Sequence, residues 1–346
     1  MNTPQIVRVE SHDDELAEVD GVDDSDAHPA IAQQLRRLGV TDVNAPPDAQ
    51  TWNRMLAWMA DQIDRMAGER RRLRLSIDVE SELCDLVASE RRARQALETA
   101  LDDAGEVQRS FVPPATTIER PFLQLAAAFE PAASCGGDWW SVYPLPGDRT
   151  MIAIADVTGH GVAPAMLTGV ARGACDMIVR ATDPDRLTCA GVLAELNRVV
   201  CETGTDRLRM TCSVSIVDPR RGAMRFATAG HTLPYVVRRQ PTKKQLLQVV
   251  GTGTTLGDAP EATFNEASVR LHSDDLLLWY TDGILACEND RGEEFGEKRL
   301  RQLLRGLDVA PPAALRDQLW SALERHRGAR APADDIAFVF ARTGAI

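Results

Sequence analysis

Four aspartates of this sequence share one local pattern, in which an apolar run stands beside a turn. They are Asp138 after Gly136-Gly137, Asp156 after Ile154-Ala155, Asp282 between Thr281 and Gly283, and Asp334 before Asp335-Ile336. Carboxylates brought together at strand ends offer the oxygen ligands that hard cations such as Mg²⁺ and Mn²⁺ prefer. The pattern therefore predicts a site for divalent cations.

A single aspartate beside a glycine carries little information, because turns and helix caps use the same residues. Four such aspartates in one stretch of chain favour a shared site. Carboxylates clustered at the edge of a core repel one another, and a bound cation relieves that repulsion. The four side chains are therefore predicted to act together.

The elements that must position these aspartates begin at Phe122, from where short apolar runs alternate with turns. Residues 210–217 and 223–229 predict a hairpin, because Asp218-Pro219-Arg220-Arg221-Gly222 joins them. The run 276–280 is almost wholly apolar, which predicts a strand buried on both faces. Strands joined by hairpins, with helices inserted in pairs, predict an α+β layered domain rather than alternating βαβ units.

Upstream, residues 31–112 are predicted to form a helical arm, with an interruption at Gly68 and an end at Pro113-Pro114. Apolar residues in its second half recur at spacings of three and four, as in a two-stranded coiled coil, with one interruption at Glu90. They are Leu83, Leu86, Ala93, Leu97, Ala100, Ala104, Val107 and Phe111. This pattern predicts a regulatory arm that forms a homodimer and passes a change of state to the domain after it. The alternative is a helical hairpin packed on its own domain.

The formal net charge is −12, from 39 basic and 51 acidic residues, and most of it is local. Residues 1–30 hold nine acids and one base, so they carry −8 and are predicted to be a disordered acidic leader. A docking tail for a basic partner is the alternative. The rest of the chain has no basic stripe of the kind that nucleic-acid binding requires, so no nucleic-acid partner is predicted.

The seven cysteines are scattered and form no C-x-x-C pair. They predict reduced thiols rather than a disulfide framework or a zinc site. We find no run of roughly 18 apolar residues for a membrane span, and the first residues lack the apolar core of a signal peptide. The expected location is the cytoplasm, with no membrane partner.

Several short motifs occur in a fixed order, and they are specific as a set although each is weak alone. They are Phe129-Glu130-Pro131-Ala132 through Gly137-Asp138, Ala155-Asp156-Val157-Thr158-Gly159-His160-Gly161, Ala229-Gly230-His231, Tyr280-Thr281-Asp282-Gly283, Phe295-Gly296 and Ala333-Asp334-Asp335-Ile336. The set resembles the metal-dependent protein phosphatases of the PPM (protein phosphatase type 2C) superfamily, and most closely the bacterial SpoIIE/RsbU-like branch. The resemblance covers roughly residues 108–342, and the phosphatase domain is predicted at 113–346.

The resemblance implies a sandwich of two antiparallel sheets flanked by helix pairs, with two Mn²⁺ or Mg²⁺ ions at one end. By motif, Asp138 and Asp156 match the acids that hold the metal pair, with Asp156 bridging, and catalysis is expected to depend on both. The backbone carbonyl of Val157 matches a further ligand. Asp282 and Asp334 match the two later acids.

Four other residues carry expectations from the same resemblance. Asp335 is expected in the layer around the ligands rather than on the metal. His160 is expected to be a loop histidine, with assistance to the leaving group as the alternative. His231 is expected to close a turn by bonding backbone atoms. Ser141 departs from the family pattern, because relatives usually carry an acid near this position.

The implied reaction is direct hydrolysis of a phosphate ester, in which a metal-activated water attacks phosphorus in line. No phosphoenzyme is implied, and the sequence has no P-loop lysine motif. The implied substrate is phosphoserine or phosphothreonine on a small protein like an anti-sigma-factor antagonist, because such partners are typical of this branch.

Two other classes of function stay open. One is a catalytically silent relative of the same fold that binds a partner and signals by sequestration. The four clustered acids count against it, because a pure scaffold has no need of them. The other is a metal-dependent nucleotide-processing enzyme, and the missing basic, glycine-rich phosphate cradle counts against that class.

Overall fold

A computed structural model describes most of the chain. The described residues are 33, 36–39, 48–113, 117–159, 161–203, 208–239, 244–308 and 310–344. The predicted acidic leader at 1–30 and His160 lie outside the described residues.

Helix α1 (Ala49–Arg109) is 61 residues long and runs without a break. Asp48 begins it, because its carboxylate accepts a hydrogen bond from the Thr51 amide at 2.7 Å and so satisfies a donor that the first turn leaves free. Hydrogen bonds from Thr51 hold the pKa of Asp48 below its usual range. The interruption expected at Gly68 does not occur, since one glycine costs a helix only about 1 kcal/mol and most of its neighbours are good helix formers.

Most of the large apolar side chains of α1 lie open to solvent in the single chain. Leu83, Leu86 and Leu97 are 58%, 64% and 61% exposed. A row of exposed leucines at heptad-like spacing is what one strand of a coiled coil presents without its partner. The chain divides into two compact units inside this helix, between Arg91 and Arg92. The boundaries predicted after residues 30 and 112 stay predictions.

The second unit, residues 92–346, is built on two antiparallel sheets. Its strands are β1 (Thr117–Glu119), β2 (Leu123–Glu130), β3 (Asp138–Pro144), β4 (Thr150–Val157), β5 (Met210–Asp218), β6 (Ala223–Ala229), β7 (Tyr235–Arg239), β8 (Lys244–Gln248), β9 (Ala267–Arg270), β10 (Leu276–Tyr280) and β11 (Ile336–Thr343). Sheet one has the order β1-β2-β11-β10-β7-β8, and sheet two has the order β3-β4-β5-β6-β9. The predicted α+β class with two antiparallel sheets is confirmed.

Helices cover the outer face of each sheet. They are α2 (Val162–Ala181), α3 (Cys189–Thr203), α4 (Gly283–Ala286), α5 (Gly296–Gly306) and α6 (Pro312–Arg327). Helices α2 and α3 share a buried cluster with sheet two, while α5 and α6 share one with sheet one. The two sheets therefore lie between two helical layers, and a third apolar cluster fills the space between the sheets.

Strand β10 is apolar along its whole length because both of its faces are buried. Side chains alternate between the two faces of a strand, and both faces of β10 are covered. Leu277 and Trp279 point into the space between the sheets, where the Trp279 indole donates to the Ser215 hydroxyl at 2.8 Å. Leu276 and Leu278 pack with the helices on the other side. The buried strand predicted at 276–280 is therefore present.

Among the described helices, α2 has the length and apolar composition that crossing a membrane would require. This is a weak indication, because a helix in a protein core has a similar composition. Helix α2 buries Leu167, Ala171 and Cys175 in the cluster that it shares with α3 and sheet two. The expectation of no membrane partner stays a prediction.

All seven cysteines lie in the described residues, and none is in a disulfide. Five of them are buried. Burial raises the pKa of Cys175 to about 12, and such a thiol stays protonated and unreactive. The unpaired state agrees with the predicted reduced thiols.

Candidate metal centre

The strand pairing of sheet two brings the first two aspartates together. Asp138 begins β3, Asp156 lies near the end of β4, and the antiparallel register places them directly opposite each other. Side chains opposite one another in such a pair have Cβ atoms about 4.5–5.5 Å apart and point to the same face. Two carboxylates from separate parts of the sequence therefore stand side by side.

Sheet one brings the other two aspartates together at the ends of two neighbouring strands. Strands β10 and β11 are antiparallel neighbours with Tyr280 opposite Phe338, so the end of β10 and the start of β11 meet. Asp282 follows β10 as the N-cap residue of α4, and Asp334 precedes β11. Both side chains belong to exposed residues.

The Thr281 hydroxyl links the two sheets at this end. The Thr281 hydroxyl, at the end of β10, donates to Oδ2 of Asp138 at 2.7 Å. Asp138 belongs to sheet two and Thr281 extends sheet one, so this bond links the sheets at the aspartate end. The four predicted carboxylates therefore lie at the same end of the sandwich.

The four carboxylates influence one another electrostatically. Burial, and then the charge of Asp156, raises the pKa of Asp138 well above its usual range, against the opposing effect of the Thr281 hydrogen bond. Burial, followed by the charges of Asp282 and Asp334, raises the pKa of Asp156 to about 7. Negative charge at this end of the molecule is therefore costly without a cation.

The donor set suits a hard divalent cation, since it consists of carboxylate and carbonyl oxygens. Gly137 keeps one of these oxygens open, because a Cβ there would lie 2.4 Å from the Val157 carbonyl oxygen. The described residues contain no ready-made group of three acidic, histidine or cysteine side chains arranged to hold a metal ion. The fit therefore rests on the chemistry of the donors and on the mutual repulsion of the acids.

Asp335 is buried, whereas its neighbour Asp334 is exposed. The Asp335 carboxylate is buried and accepts from the amides of Ala132 at 2.7 Å and Gly137 at 2.5 Å. A Cβ at Gly136 would lie 2.0 Å from Oδ2 of Asp335. Asp335 thus holds the turn that leads into Asp138, which fits the expected place in the layer around the ligands.

Gln108, near the end of α1, is a site neighbour that the sequence did not reveal. Its side-chain amide pairs with both backbone groups of Gly136, donating to the carbonyl at 2.5 Å and accepting from the amide at 2.9 Å. The side chain is buried. A glutamine on a charged helix normally predicts a solvated position, so no local signal marked it. The last turns of α1 therefore hold the turn that precedes Asp138.

His231 follows β6 and contacts β5, the strand that pairs with β4. Its amide donates to the Thr228 hydroxyl at 3.1 Å, and that hydroxyl lies 3.2 Å from the His231 carbonyl, so the residue closes a turn. Its Nδ1 is 2.7 Å from the Thr211 hydroxyl, which also lies 3.4 Å from the Asp156 carbonyl. Burial lowers the pKa of His231 to about 4, so the ring is neutral at pH 7.

Ser141, which departs from the pattern that the resemblance predicts, takes part in a polar contact with α2. The Arg172 guanidinium donates to the Ser141 hydroxyl and to the Phe111 carbonyl, each at 2.7 Å. It also pairs with Asp176 at 2.9 Å. The serine therefore helps to connect β3, α2 and the segment that follows α1.

Two curated relatives match about three fifths of the chain. Protein IcfG of Synechocystis sp. is 27% identical over 230 residues, which cover 59% of this chain and 35% of IcfG. The phosphoserine phosphatase RsbP of Bacillus subtilis is 23% identical over 221 residues, which cover 63% of this chain and 51% of RsbP. The chain thus spans about half or less of the length of these relatives.

Solved structures share the architecture of the second unit. The SiaA-PP2C domain of Pseudomonas aeruginosa matches with a TM-score of 0.63 and 24% identity, covering 72% of this chain and 98% of that domain. The RsbU and RsbW domains of Rv1364c from Mycobacterium tuberculosis match with a TM-score of 0.56 and 24% identity, covering 66% of this chain and 62% of that one. At these identities the likeness concerns the fold.

The family assignment comes from the sequence match. A family model described as stage II sporulation protein E (SpoIIE) matches residues 146–344. This range is more than half of the chain and contains three of the four predicted acids, Asp156, Asp282 and Asp334. The fold, the motifs and this match agree, and the chain belongs to the SpoIIE family of type 2C protein phosphatase domains.

Proposed function

We propose that this protein is a Mn²⁺- or Mg²⁺-dependent serine/threonine protein phosphatase of the SpoIIE/RsbU type. The observation that carries the proposal is the convergence of the four predicted acids at one end of the sandwich, with Asp138 directly opposite Asp156. The family membership adds the reaction class. The name of RsbP states that this relative acts on phosphoserine.

Each group of the proposed centre has its own task. Asp138, Asp156, Asp282 and Asp334, with the Val157 carbonyl, would hold two metal ions. Such ions supply an activated water and neutralise charge on the phosphoryl group when bound. Asp335 and Gln108 keep the turn before Asp138 in place through its backbone amides and carbonyl.

The first test is hydrolysis of p-nitrophenyl phosphate with and without millimolar Mn²⁺. We expect activity that depends on Mn²⁺ in the wild type and is lost in Asp156→Ala. Asp317→Ala is the matched control, because Asp317 is an exposed aspartate on α6, paired with its neighbour Arg316. Equal rates in wild type and Asp156→Ala would contradict the assigned centre.

The silent binding module remains the alternative function. Mn²⁺ binding without hydrolysis of any phosphorylated substrate would favour it over the phosphatase. Nucleotide turnover would instead favour the nucleotide-processing class.

We infer that the substrate is phosphoserine or phosphothreonine on a cytoplasmic protein like an anti-sigma-factor antagonist. Support comes from Rv1364c, in which an RsbU domain and an RsbW domain are described together. Metal-dependent loss of phosphate from such a protein, followed by mass spectrometry, tests the inference. A serine-phosphorylated protein of unrelated fold is the control.

We further propose that the helical arm regulates the centre through its last turns. Gln108 supports this, because it joins α1 to the Gly136 backbone two residues before Asp138. The Phe111 carbonyl adds a contact with Arg172 of α2. A displacement of the end of α1 would therefore shift both the turn before Asp138 and the contact with α2.

Gln108→Leu tests this coupling, because it removes both bonds to Gly136 and keeps a side chain of similar size. We expect about tenfold more Mn²⁺ to be needed for half-maximal activity, which is within the range for groups that orient ligands. Gln95→Leu is the matched control, since Gln95 lies on the same helix and is exposed. An unchanged Mn²⁺ requirement in Gln108→Leu would contradict the coupling.

The exposed leucines of α1 support a homodimer through the arm. We expect the full chain to be a dimer by light scattering and a variant lacking residues 1–91 to be a monomer. A dimer that survives the deletion would place the interface in the second unit.

A further inference from the structure

Thr281 is fully buried and occupies the point where sheet one meets Asp138 of sheet two. Its backbone amide donates to the Ala337 carbonyl at 2.9 Å, and the Ala337 amide donates to its hydroxyl oxygen at 2.9 Å. The residue thus extends the pairing of β10 with β11 by one step. These backbone contacts fix the position of the hydroxyl.

The hydroxyl has one proton and two acceptors within reach. Oδ2 of Asp138 lies at 2.7 Å, and the Ala337 carbonyl lies at 3.2 Å. A hydroxyl forms shorter and stronger hydrogen bonds to a carboxylate than to a neutral carbonyl, and this carbonyl already accepts from the Thr281 amide. The Thr281 proton is therefore directed to Asp138.

The bond matters because Asp138 is itself buried, with 3% of its surface exposed. A buried carboxylate cannot exchange a lost partner for water, so its orientation depends on the donors that the fold provides. Other acids of the centre approach from the opposite strand and from the loops, and they repel it. Thr281 is an uncharged donor that holds it.

We propose that Thr281 is a positioning residue of the metal centre, whose hydroxyl holds the Asp138 carboxylate in the orientation that metal binding requires. The inference rests on the proposed function. It means that sheet one, through β10 and β11, sets the orientation of a ligand carried by sheet two. The threonine of the Tyr280-Thr281-Asp282-Gly283 motif therefore orients Asp138 in addition to preceding Asp282.

The test compares Thr281→Val with Thr281→Ser in the full chain. Valine has the shape of threonine without the hydroxyl, and serine keeps the hydroxyl. Mn²⁺ affinity is measured on metal-free protein by calorimetry and by electron paramagnetic resonance, together with the melting temperature with and without Mn²⁺. We expect Thr281→Val to bind Mn²⁺ about 10- to 100-fold more weakly and Thr281→Ser to stay within about threefold of the wild type.

A role confined to the pairing of β10 with β11 would give a different result. Thr281→Val would then melt earlier without metal, yet bind Mn²⁺ as the wild type does and gain the same stabilisation from it. That outcome would overturn the inference and leave the proposed function intact. A wild type that binds no Mn²⁺ would overturn the metal centre and the inference with it.

Circular dichroism of the metal-free variants checks folding. If Thr281→Val does not fold, Thr281→Cys takes its place, because a thiol is only a weak donor. We then expect an affinity for Mn²⁺ below that of Thr281→Ser. Wild-type affinity in folded Thr281→Cys would overturn the inference.

Discussion

The two pairs of acids at the candidate centre differ in how the fold carries them. Asp138 and Asp156 lie on neighbouring strands of sheet two, one buried and the other partly buried. Asp282 and Asp334 lie in loops at the edge of sheet one and are exposed. The first pair is built into the sandwich, whereas the second pair is added at its rim.

Because the two pairs differ in burial, they should affect the stability of the metal-free protein differently while both serve activity. A buried carboxylate beside another one destabilises the folded protein until a cation arrives, while an exposed one costs little. Substitutions in the two pairs should therefore have similar effects on activity and different effects on the metal-free protein. The predictions below begin with the loss of activity, which is the largest expected effect, and then turn to stability.

The largest effect is expected for Asp282→Asn. Loss of a direct metal ligand should lower the rate of p-nitrophenyl phosphate hydrolysis by more than the roughly 100-fold that groups behind the ligands reach. The melting temperature of the metal-free protein should hardly change, because Asp282 is exposed. An unchanged rate, or a variant that does not fold, would contradict the assignment of Asp282 to the rim.

The neighbours Asp334 and Asp335 should show opposite responses. Asp334→Asn should weaken Mn²⁺ binding and leave metal-free stability unchanged. Asp335→Asn replaces an acceptor of the Ala132 and Gly137 amides, so it should cost about 1–3 kcal/mol of unfolding free energy. In a domain of this size each kcal/mol lowers the melting temperature by about 2–4 °C.

Calorimetry of both variants without metal measures this contrast. Equal melting temperatures for Asp334→Asn and Asp335→Asn would contradict a structural role that Asp335 has and Asp334 lacks.

The last prediction concerns the pH dependence of stability. The pKa of Asp156 rises on folding from its ordinary value of 3.8 to about 7, so the folded state binds more protons than the unfolded state between these values. Stability of the metal-free protein therefore falls as pH rises through this window, and the cost is fully present above about pH 7. Asp156→Asn should reduce this slope, so that the variant matches the wild type near pH 4 and is the more stable protein at pH 8; the slope that remains belongs to Asp138, whose pKa burial also raises.

His231 has the opposite pH dependence, because burial lowers its pKa from 6.5 to about 4. Its contribution is lost as pH falls through this window. Since both proteins contain His231, the difference between wild type and Asp156→Asn excludes the histidine and reports Asp156 together with its effect on Asp138. Urea unfolding in the presence of EDTA from pH 4 to pH 8 gives the measurement, and parallel stability curves would contradict the prediction.

Much of the architecture could be predicted because the signals are local. The apolar run at 276–280 required cover on both faces, and β10 has it. The turn residues at 218–222 joined two strands as a hairpin, and β5 pairs with β6. The interruption predicted at Gly68 was wrong, because one glycine is a smaller cost than breaking a helix whose neighbouring residues favour it.

The positions that depend on long-range contacts could not be predicted in the same way. Gln108 pairs with a backbone 28 residues away, and Thr281 bonds an acid 143 residues away. From the local sequence alone, a polar side chain that faces solvent cannot be distinguished from one that bonds a buried partner. Only the packing of α1 and of the two sheets decides which of the two holds.

The sequence by itself determined the kinds of groups at the centre and their places at strand ends, because carboxylates and apolar runs show their chemistry locally. Tertiary structure decided which carboxylates are buried, which of two adjacent aspartates bonds the distant Ala132 and Gly137 amides, and which neutral groups hold them. The physical reason is that burial and hydrogen-bond partners come from segments distant in the chain, and these meet only when both sheets have formed.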